Sequence, residues 1–317
     1  MLKKSLVAAG LFAATMAVAG AAQAAYPEKP ITYIIAFNAG GESDISARFQ
    51  QPFFKQLTGQ QAIIKYQAGA GGAQAWSQLN GMDGDGYTIM GTNLPHIVLQ
   101  PLQKDVGYKT QDITNVYFFH YTPDAIFVPK DSKFKSLKDL VDFAKKNPGM
   151  LTFGGSGSFS SNQLAQQRFS DMAGIKTTYV PFSGSGPAIT AVLGGQVSAG
   201  FNYSTTFLNQ PDAVRMLAVA SEKRLPTNPN TPTFKELGYD LVGGAYRGIG
   251  VPKSTPEDIR KQVSDLIGKI NHNPEFIKKM EDAGFVLTNI PYEKMGQFMA
   301  QKQSEYTALA KQLGIVK

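Results

Sequence analysis

Short apolar runs alternate with segments of helical apolar spacing over the first third of the chain. Strand-like runs at 31–37, 62–66 and 87–91 enclose a helix-like segment at 44–57 and a shorter one around Trp76. Apolar runs of five to seven residues are typical of buried strands, and apolar residues three and four apart are typical of helices packed on them. The pattern predicts a parallel α/β lobe.

The same alternation restarts near residue 125 and predicts a second lobe. Its strands are predicted at 125–128, 151–153, 178–182, 197–203 and 216–220, and its helices at 137–145, 163–172 and 188–193. After a Pro-rich segment at 226–232 come a strand at 248–251 and helices at 255–270 and 292–313, which we expect to complete the first lobe. The predicted division is 25–124 with 229–317 for lobe 1, and 125–228 for lobe 2.

The first 24 residues differ from the rest. Lys3 and Lys4 precede an apolar run that ends at a small-residue Ala22-Gln23-Ala24 site, the pattern of a secretory signal peptide cleaved after Ala24. We therefore expect an exported, periplasmic protein. The chain has no cysteine, so burial alone has to stabilise it.

Two Gly-rich turns stand out because each follows a strand and opens a helix. They are IIAFNAGGESDISARF, from Ile34 to Phe49, and LTFGGSGSFSSNQLAQQRF, from Leu151 to Phe169. Glycine allows close backbone approach, and the free N–H groups of a helix start attract anions. Plain capping by the serines of these turns is the alternative. A net charge of +7 is compatible with an acidic ligand.

Sites of enzymatic chemistry and cofactor sites are poorly supported. A Ser156 nucleophile would need His96 or His120 as its base, and this exported serine hydrolase is the alternative from another class. Metal-ligand spacings and Cys are absent from the sequence, and the 69–74 turn lacks the third glycine of a dinucleotide fingerprint. We therefore expect no cofactor. Basic residues are scattered along the chain, so we also expect no nucleic-acid partner.

The chain resembles the periplasmic solute receptors of tripartite tricarboxylate transporters, the Bug receptors. The resemblance runs from Tyr26-Pro27-Glu28-Lys29-Pro30-Ile31 through Asp85-Gly86-Tyr87-Thr88 and Val180-Pro181-Phe182 to Leu193-Gly194-Gly195-Gln196-Val197. It implies a type II periplasmic-binding-protein fold, two α/β lobes that close on a small carboxylate. It also implies no catalysis, a monomer, and integral-membrane transporter subunits as partners. A sensory role with a membrane kinase stays an alternative.

The resemblance also implies the ligand-contacting residues. They are Phe37, Asn38, Gly40, Gly41, Glu42, Ser43, Asp44, Thr92, Asn93, Ser156, Gly157, Ser158, Phe159, Ser160, Ser161, Phe182, Gly184, Ser185, Asn202, Tyr203 and Arg247. In the family, the two turns hold carboxylate oxygens through backbone N–H groups, hydroxyls and bound water.

Three departures from the family pattern bear on the ligand. Asn202 replaces a common Asp that can pair with a ligand ammonium, which favours citrate-like acids or C4–C6 dicarboxylates over amino acids. Arg247 is able to bind a second carboxylate or to form a structural salt bridge, and both stay open. Asn38 and Ala39 stand where two prolines are commoner. Aromatic acids also stay open, because Phe159, Phe182, Tyr203 and Tyr246 are able to flank a ring.

Overall fold

The computed structural model describes residues 26–316, so the predicted signal peptide lies outside the described residues. The strands are β1 (Ile31–Ile35), β2 (Ala62–Tyr66), β3 (Thr88–Leu94), β4 (Thr114–Pro129), β5 (Leu151–Gly155), β6 (Thr177–Pro181), β7 (Ala199–Tyr203), β8 (Val214–Val219), β9 (Gly244–Val251) and β10 (Val286–Ile290). The α-helices are α1 (Glu42–Thr58), α2 (Ala73–Trp76), α3 (His96–Gln103), α4 (Leu137–Lys146), α5 (Ser161–Ala173), α6 (Ser185–Leu193), α7 (Thr205–Asn209), α8 (Glu257–Asn271), α9 (Pro274–Asp282) and α10 (Tyr292–Gln312). Over residues 26–316, no helix has the combined length and apolar character of a membrane span.

The strands form two groups that share β4. The continuous order is β2-β1-β3-β9-β4-β7-β5-β6, and β8 and β10 also pair with β4. In the first group β1 runs parallel to β2 and β3, and in the second β5 runs parallel to β6 and β7. Helices flank both groups. The predicted two-lobed α/β architecture is therefore confirmed.

Strand β4 is much longer than the strand that the sequence predicts in this region. The sequence predicts a strand only at 125–128, whereas β4 has 16 residues. Its first part pairs with β9 and β10, and its last part pairs with β7 and β8. Pro123 interrupts the apolar run in sequence, but the chain stays extended through it and so crosses from one lobe to the other.

Each lobe has its own hydrophobic core. Tyr33, Trp76 and Phe118 belong to the first core, and Phe153 and Phe169 belong to the second. Burial of each large aromatic side chain contributes roughly 2–3 kcal/mol. Two independent cores explain why the α/β pattern appears twice in the sequence.

The segment before β9 packs on the second core. Phe234 and Leu241 are fully buried there, and the Phe234 N–H donates to the carbonyl of Val219. The predicted lobe division is still a prediction. We propose from this packing that the chain returns to the first lobe near Gly244 rather than at residue 229.

Several elements were absent from the prediction. α3 has only eight residues and contains Pro101, a residue that disfavours a helix in the sequence. β10 lies at the edge of the sheet with Val286 exposed, and its short segment carries little apolar signal. α9 is a separate helix because Pro274 occupies its first turn and Asn273 caps it through backbone N–H groups.

Asp124 is buried where β4 crosses between the lobes, with 1% of its surface exposed. Its Oδ1 accepts hydrogen bonds from Ser161 Oγ at 2.8 Å and from Asn162 Nδ2 at 2.6 Å. Burial raises the pKa of Asp124 to about 7, although these hydrogen bonds and the charges of Arg247 and Arg168 oppose the rise. The folded state therefore binds this proton more tightly than the unfolded chain does.

We expect Asp124→Asn to remove part of the pH dependence of stability. Because the pKa is raised on folding, the contribution of Asp124 is present at acidic pH and is lost between about pH 4 and pH 7. The loss amounts to at most about 4 kcal/mol for a shift of three pKa units. Urea unfolding at several pH values should show a flatter profile for Asp124→Asn. The exposed Asp83→Asn is the control, and an unchanged slope in Asp124→Asn would contradict the assignment.

Candidate ligand-binding cleft

The two Gly-rich turns lie between the lobes, at the carboxyl ends of β1 and β5. The first contacts the turn before α6: Asn38 Nδ2 donates to Ser183 Oγ at 2.8 Å, and the Glu42 N–H donates to Ser185 Oγ at 2.8 Å. The second approaches the loop after β2, since a Cβ on Gly157 would lie 3.2 Å from the Gly71 Cα. The lobes are therefore in direct contact across this cleft.

A small cavity remains between them, with a volume of ≈10 Å³, about the room that one water molecule needs. The residues that line it are Phe37, Gly41, Glu42, Ser43, Asn93, Ser156, Ser185, Tyr203 and Arg247. All nine belong to the set that the sequence predicts. A ligand the size of a dicarboxylate can reach them only after the lobes separate.

Arg247 is the principal cation of this cavity. It lies on β9, is 3% exposed, and its guanidinium carbon stands 4.3 Å from the ring centre of Tyr203. With the Asn93 amide oxygen facing it, Arg247 Nε donates to that oxygen at 2.8 Å. Nη1 is buried without a hydrogen-bond partner among the described residues. Stacking and one hydrogen bond therefore fix the guanidinium plane while one donor edge stays free.

Glu42 is the first residue of α1 and is 5% exposed. Its Oε2 accepts a hydrogen bond from Thr205 Oγ1 of the other lobe, and its Oε1 is buried without a partner in the described chain. Burial raises the pKa of Glu42, while Arg247, Thr122 and Thr205 oppose the rise. The cleft thus holds a carboxyl group as well as a guanidinium.

Ser156 belongs to a buried hydrogen-bond chain that connects the cavity with the crossing strand. Its Oγ donates to Asn162 Oδ1 at 2.6 Å and is 2.8 Å from the hydroxyl of Tyr203. Asn162 in turn donates to Asp124. Because both contacts hold Ser156 Oγ in place, the hydroxyl forms a fixed polar part of the cavity lining.

The two histidines near the cleft are fully buried. His96 has neither ring nitrogen in a hydrogen bond, and His120 Nδ1 lies 3.3 Å from Thr122 Oγ1. Burial lowers the pKa of His96 to about 3 and lowers that of His120 as well, with Arg247 adding to both effects. Both rings are therefore neutral at physiological pH. Among residues 26–316, no histidine hydrogen-bonds to Ser156 Oγ, so the geometry of a catalytic triad is not formed.

Some predicted residues serve the turns instead of the cavity. Asp44 accepts from the Gly40 N–H at 2.7 Å and from Arg48 and Tyr66. Asn202 donates to the carbonyl of Ser185 at 3.1 Å. Ser160 caps α5, Ser161 donates to Asp124, and Thr92 donates to Asn115. Asn38 and Gly184 lie at the contact between the turns.

Gly157, Ser158, Phe159 and Phe182 line a different space, a groove of ≈570 Å³ beside the cleft. A further cavity of ≈250 Å³ lies between α5 and α10. The small cavity is the better ligand site in spite of its size, because a helix N-terminus, several hydroxyls and the unpaired Arg247 donor converge there.

Sequence reasoning missed Thr122 and Thr205 and assigned His96 and His120 only to the hydrolase alternative. Strand pairing brings two of them to the cleft, because His120 is opposite Arg247 and Thr122 is opposite Ala245 in the β4–β9 ladder. Thr205 and His96 are placed by the starts of α7 and α3 instead. Their neighbours in sequence carry no motif, so only the tertiary structure reveals them.

Comparisons with known proteins agree with this geometry. A solved structure of the periplasmic binding protein BugD superimposes with a TM-score of 0.85 at 25% identity, covering 92% of this chain and all of that one. A Rhodopseudomonas palustris protein solved with adipate gives a TM-score of 0.86 at 24% identity, covering 91% of this chain and 98% of that one. Two α/β lobes closing on a polar cleft define a periplasmic binding protein.

The chain belongs to the tripartite tricarboxylate transporter receptor family. The family model described as "Tripartite tricarboxylate transporter family receptor" matches residues 46–315. A UPF0065 protein of Agrobacterium vitis is 31% identical over 269 residues, which is 84% of this chain and 78% of the relative. The chain is therefore a periplasmic solute-binding receptor and not an enzyme, as the sequence resemblance predicts.

We expect Gly41→Ala to weaken ligand binding by hindering closure of the lobes. Gly41 has φ −93°, which alanine adopts freely, but its Cβ would lie 3.0 Å from Ser185 Oγ of the other lobe. A contact this tight should cost about 1–2 kcal/mol, or roughly tenfold in Kd. Calorimetric titration measures the affinity. Gly296→Ala, whose Cβ meets nothing within 4 Å, is the control, and equal affinities in the two variants would refute steric closure at Gly41.

Proposed function

We propose that this receptor captures a small di- or tricarboxylate, citrate-like or a C4–C6 dicarboxylate, and delivers it to the membrane subunits of a tripartite tricarboxylate transporter. The observation that carries the proposal is the buried Arg247, which lines the cavity and whose Nη1 has no hydrogen-bond partner among residues 26–316. A buried guanidinium donor is costly unless an acceptor completes it. A ligand carboxylate is the acceptor that matches its geometry best.

The position of Arg247 favours binding over a purely structural salt bridge. No carboxylate lies within 4.0 Å of its guanidinium nitrogens among the described residues. Asn93 and Tyr203 are neutral groups that hold the guanidinium without forming an ion pair with it. A ligand carboxylate would supply the opposite charge in a site from which water is largely excluded.

Polar side chains from both lobes line the same cavity. Ser43 comes from the first turn of α1, while Ser156 and Ser185 belong to the second lobe. A ligand contacted by both lobes binds a conformation in which the lobes close around it better than the open one, so it shifts the population towards that conformation. The closed receptor would then be the form that the transporter recognises.

The residues of the cavity bear on the skeleton of the acid. Phe159 and Phe182 line the separate groove, and Tyr246 lines the cavity between α5 and α10. Tyr203 does line the small cavity, but the Arg247 guanidinium lies over its ring. This arrangement supports aliphatic acids over aromatic ones.

The remaining parts of the proposal concern compartment and partners. We propose export with cleavage after Ala24, a monomeric receptor, and delivery to a transporter. The alternative is a sensory role, in which the closed form docks on a membrane kinase. It requires the same ligand-binding step.

We expect citrate, malate, succinate or adipate to raise the melting temperature of the mature receptor, because a ligand that binds only the folded state stabilises it. Arg247→Gln should weaken tricarboxylates by roughly 10- to 100-fold, the value of a charge-assisted hydrogen bond, and should weaken monocarboxylates less. Thermal-shift screening followed by calorimetry measures both effects.

The matched control for this test is Arg224→Gln, which removes an exposed guanidinium that pairs with Glu236. Its affinities should equal those of the wild type. Equal losses for mono- and tricarboxylates in Arg247→Gln would give Arg247 a structural role, and a screen in which no organic acid shifts the melting temperature would overturn the proposed function.

A further inference from the structure

Glu42 and Arg247 line one cavity, and among residues 26–316 each has a buried atom without a hydrogen-bond partner. The unpaired atoms are Oε1 of Glu42, an acceptor when the carboxyl is ionised, and Nη1 of Arg247, a donor. The two side chains form no ion pair within 4.0 Å, although the charge of Arg247 acts on the Glu42 carboxyl. An unpaired acceptor and an unpaired donor therefore line the same cavity, which has to widen by separation of the lobes to admit a ligand between them.

The groups around Glu42 leave it only one free oxygen. From α7, Thr205 donates to Oε2, and from β4, Thr122 lies close to the carboxyl. The other titratable groups at the floor of the cleft are His96, His120, Asp124 and Tyr203. The charge of Arg247 acts on all four, while burial lowers the pKa values of the two histidines and raises those of Asp124 and Tyr203.

We propose that Glu42 is a specificity-determining residue of this cleft and that it selects ligands carrying a hydrogen-bond donor beside a carboxylate, as 2-hydroxy di- and tricarboxylates do. The inference rests on the proposed function and specifies its ligand class. The ligand hydroxyl donates to Glu42 Oε1, and the adjacent carboxylate accepts from Arg247 Nη1. One small ligand thus satisfies both buried atoms.

A dicarboxylate without a hydroxyl meets Glu42 differently. Its oxygens only accept hydrogen bonds, so one of them would face the Glu42 carboxylate, and the repulsion is relieved only when a proton lies between the two. Burial already raises the pKa of Glu42, and a second carboxylate raises it further. Binding of such a ligand then takes up a proton and strengthens as the pH falls, by at most tenfold per pH unit.

The decisive comparison is malate against succinate, which differ by one hydroxyl. In the wild-type receptor at pH 7.5 we expect malate to bind at least tenfold more tightly than succinate. In Glu42→Gln the amide oxygen stays with the Thr205 hydroxyl, so the NH₂ group takes the place of the unpaired Oε1. The free acceptor becomes a donor, succinate gains affinity, and the malate-to-succinate ratio falls towards one.

Calorimetry of both ligands between pH 6.5 and 8.5 completes the test, since both acids are fully ionised over most of that range. Succinate affinity should fall with rising pH in the wild type and fall less steeply in Glu42→Gln, while any contribution of Asp124 is common to both proteins. Glu257→Gln is the control, because Glu257 is the exposed first residue of α8 as Glu42 is the buried first residue of α1.

The outcomes separate this inference from the proposed function. If both proteins bind the acids with the same malate-to-succinate ratio and the same pH slope, the role of Glu42 is refuted and the receptor function stands. If aspartate binds the wild type more tightly than malate and Glu42→Gln abolishes that binding, Glu42 pairs with an ammonium group and the hydroxyl inference is wrong. Should Glu42→Gln fail to fold, the wild-type ratio and pH slope alone decide.

Discussion

Backbone N–H and C=O groups removed from water have to be paired, and β4 meets that requirement for both lobes. Four strands hydrogen-bond to it, two on each side of the crossing at Pro123. The Asp124 N–H and the Pro123 carbonyl are also satisfied there, by the carbonyl of Gly243 and the N–H of Ser204. The position of one lobe relative to the other, and hence the shape of the cleft, depends on this single strand and its ladder.

The fold could be predicted in outline because its local signals are strong. Strands such as 62–66 stand between clear turns, and the helix at 137–146 has a regular apolar face with Ser136 as its cap. The prediction failed where tertiary contacts override local pattern. The strand predicted at 125–128 begins just after Pro123, a residue that normally ends a central strand, whereas β4 continues through it. α3 is short and contains Pro101, so its sequence disfavours a helix.

The candidate site was predictable to the extent that helix starts and Gly-rich turns reveal anion-binding geometry. Glu42, Ser156 and Arg247 all came from such turns or from the family resemblance, and they meet at the cavity. Asp44 carries the same sequence signal, but its carboxylate is used by the turn itself. Whether such a side chain stabilises the turn or contacts a ligand depends on the direction in which it points, and sequence spacing does not give that direction.

The chemistry of the cleft was harder to predict than its location. Asn202 indicates that the second lobe lacks an acidic side chain at one position of the cleft. Glu42, from the first lobe, nevertheless places a carboxyl group there. Its environment depends on Thr205, which is 163 residues away in sequence. Charge balance at a buried site is a property of the assembled structure, so a single residue type gives an incomplete account of it.

The β4–β9 connection also has a mechanical consequence. From Thr114 to Pro123 the two strands form an antiparallel pair, with register irregularities before Tyr117 and His120. These strands lie in the middle of the first-lobe sheet, because β9 also pairs with β3 and β4 also pairs with β10. Arg247 is therefore carried by the first lobe, whereas Tyr203, whose ring it faces, belongs to β7 of the second lobe. Separation of the lobes draws the guanidinium away from that ring.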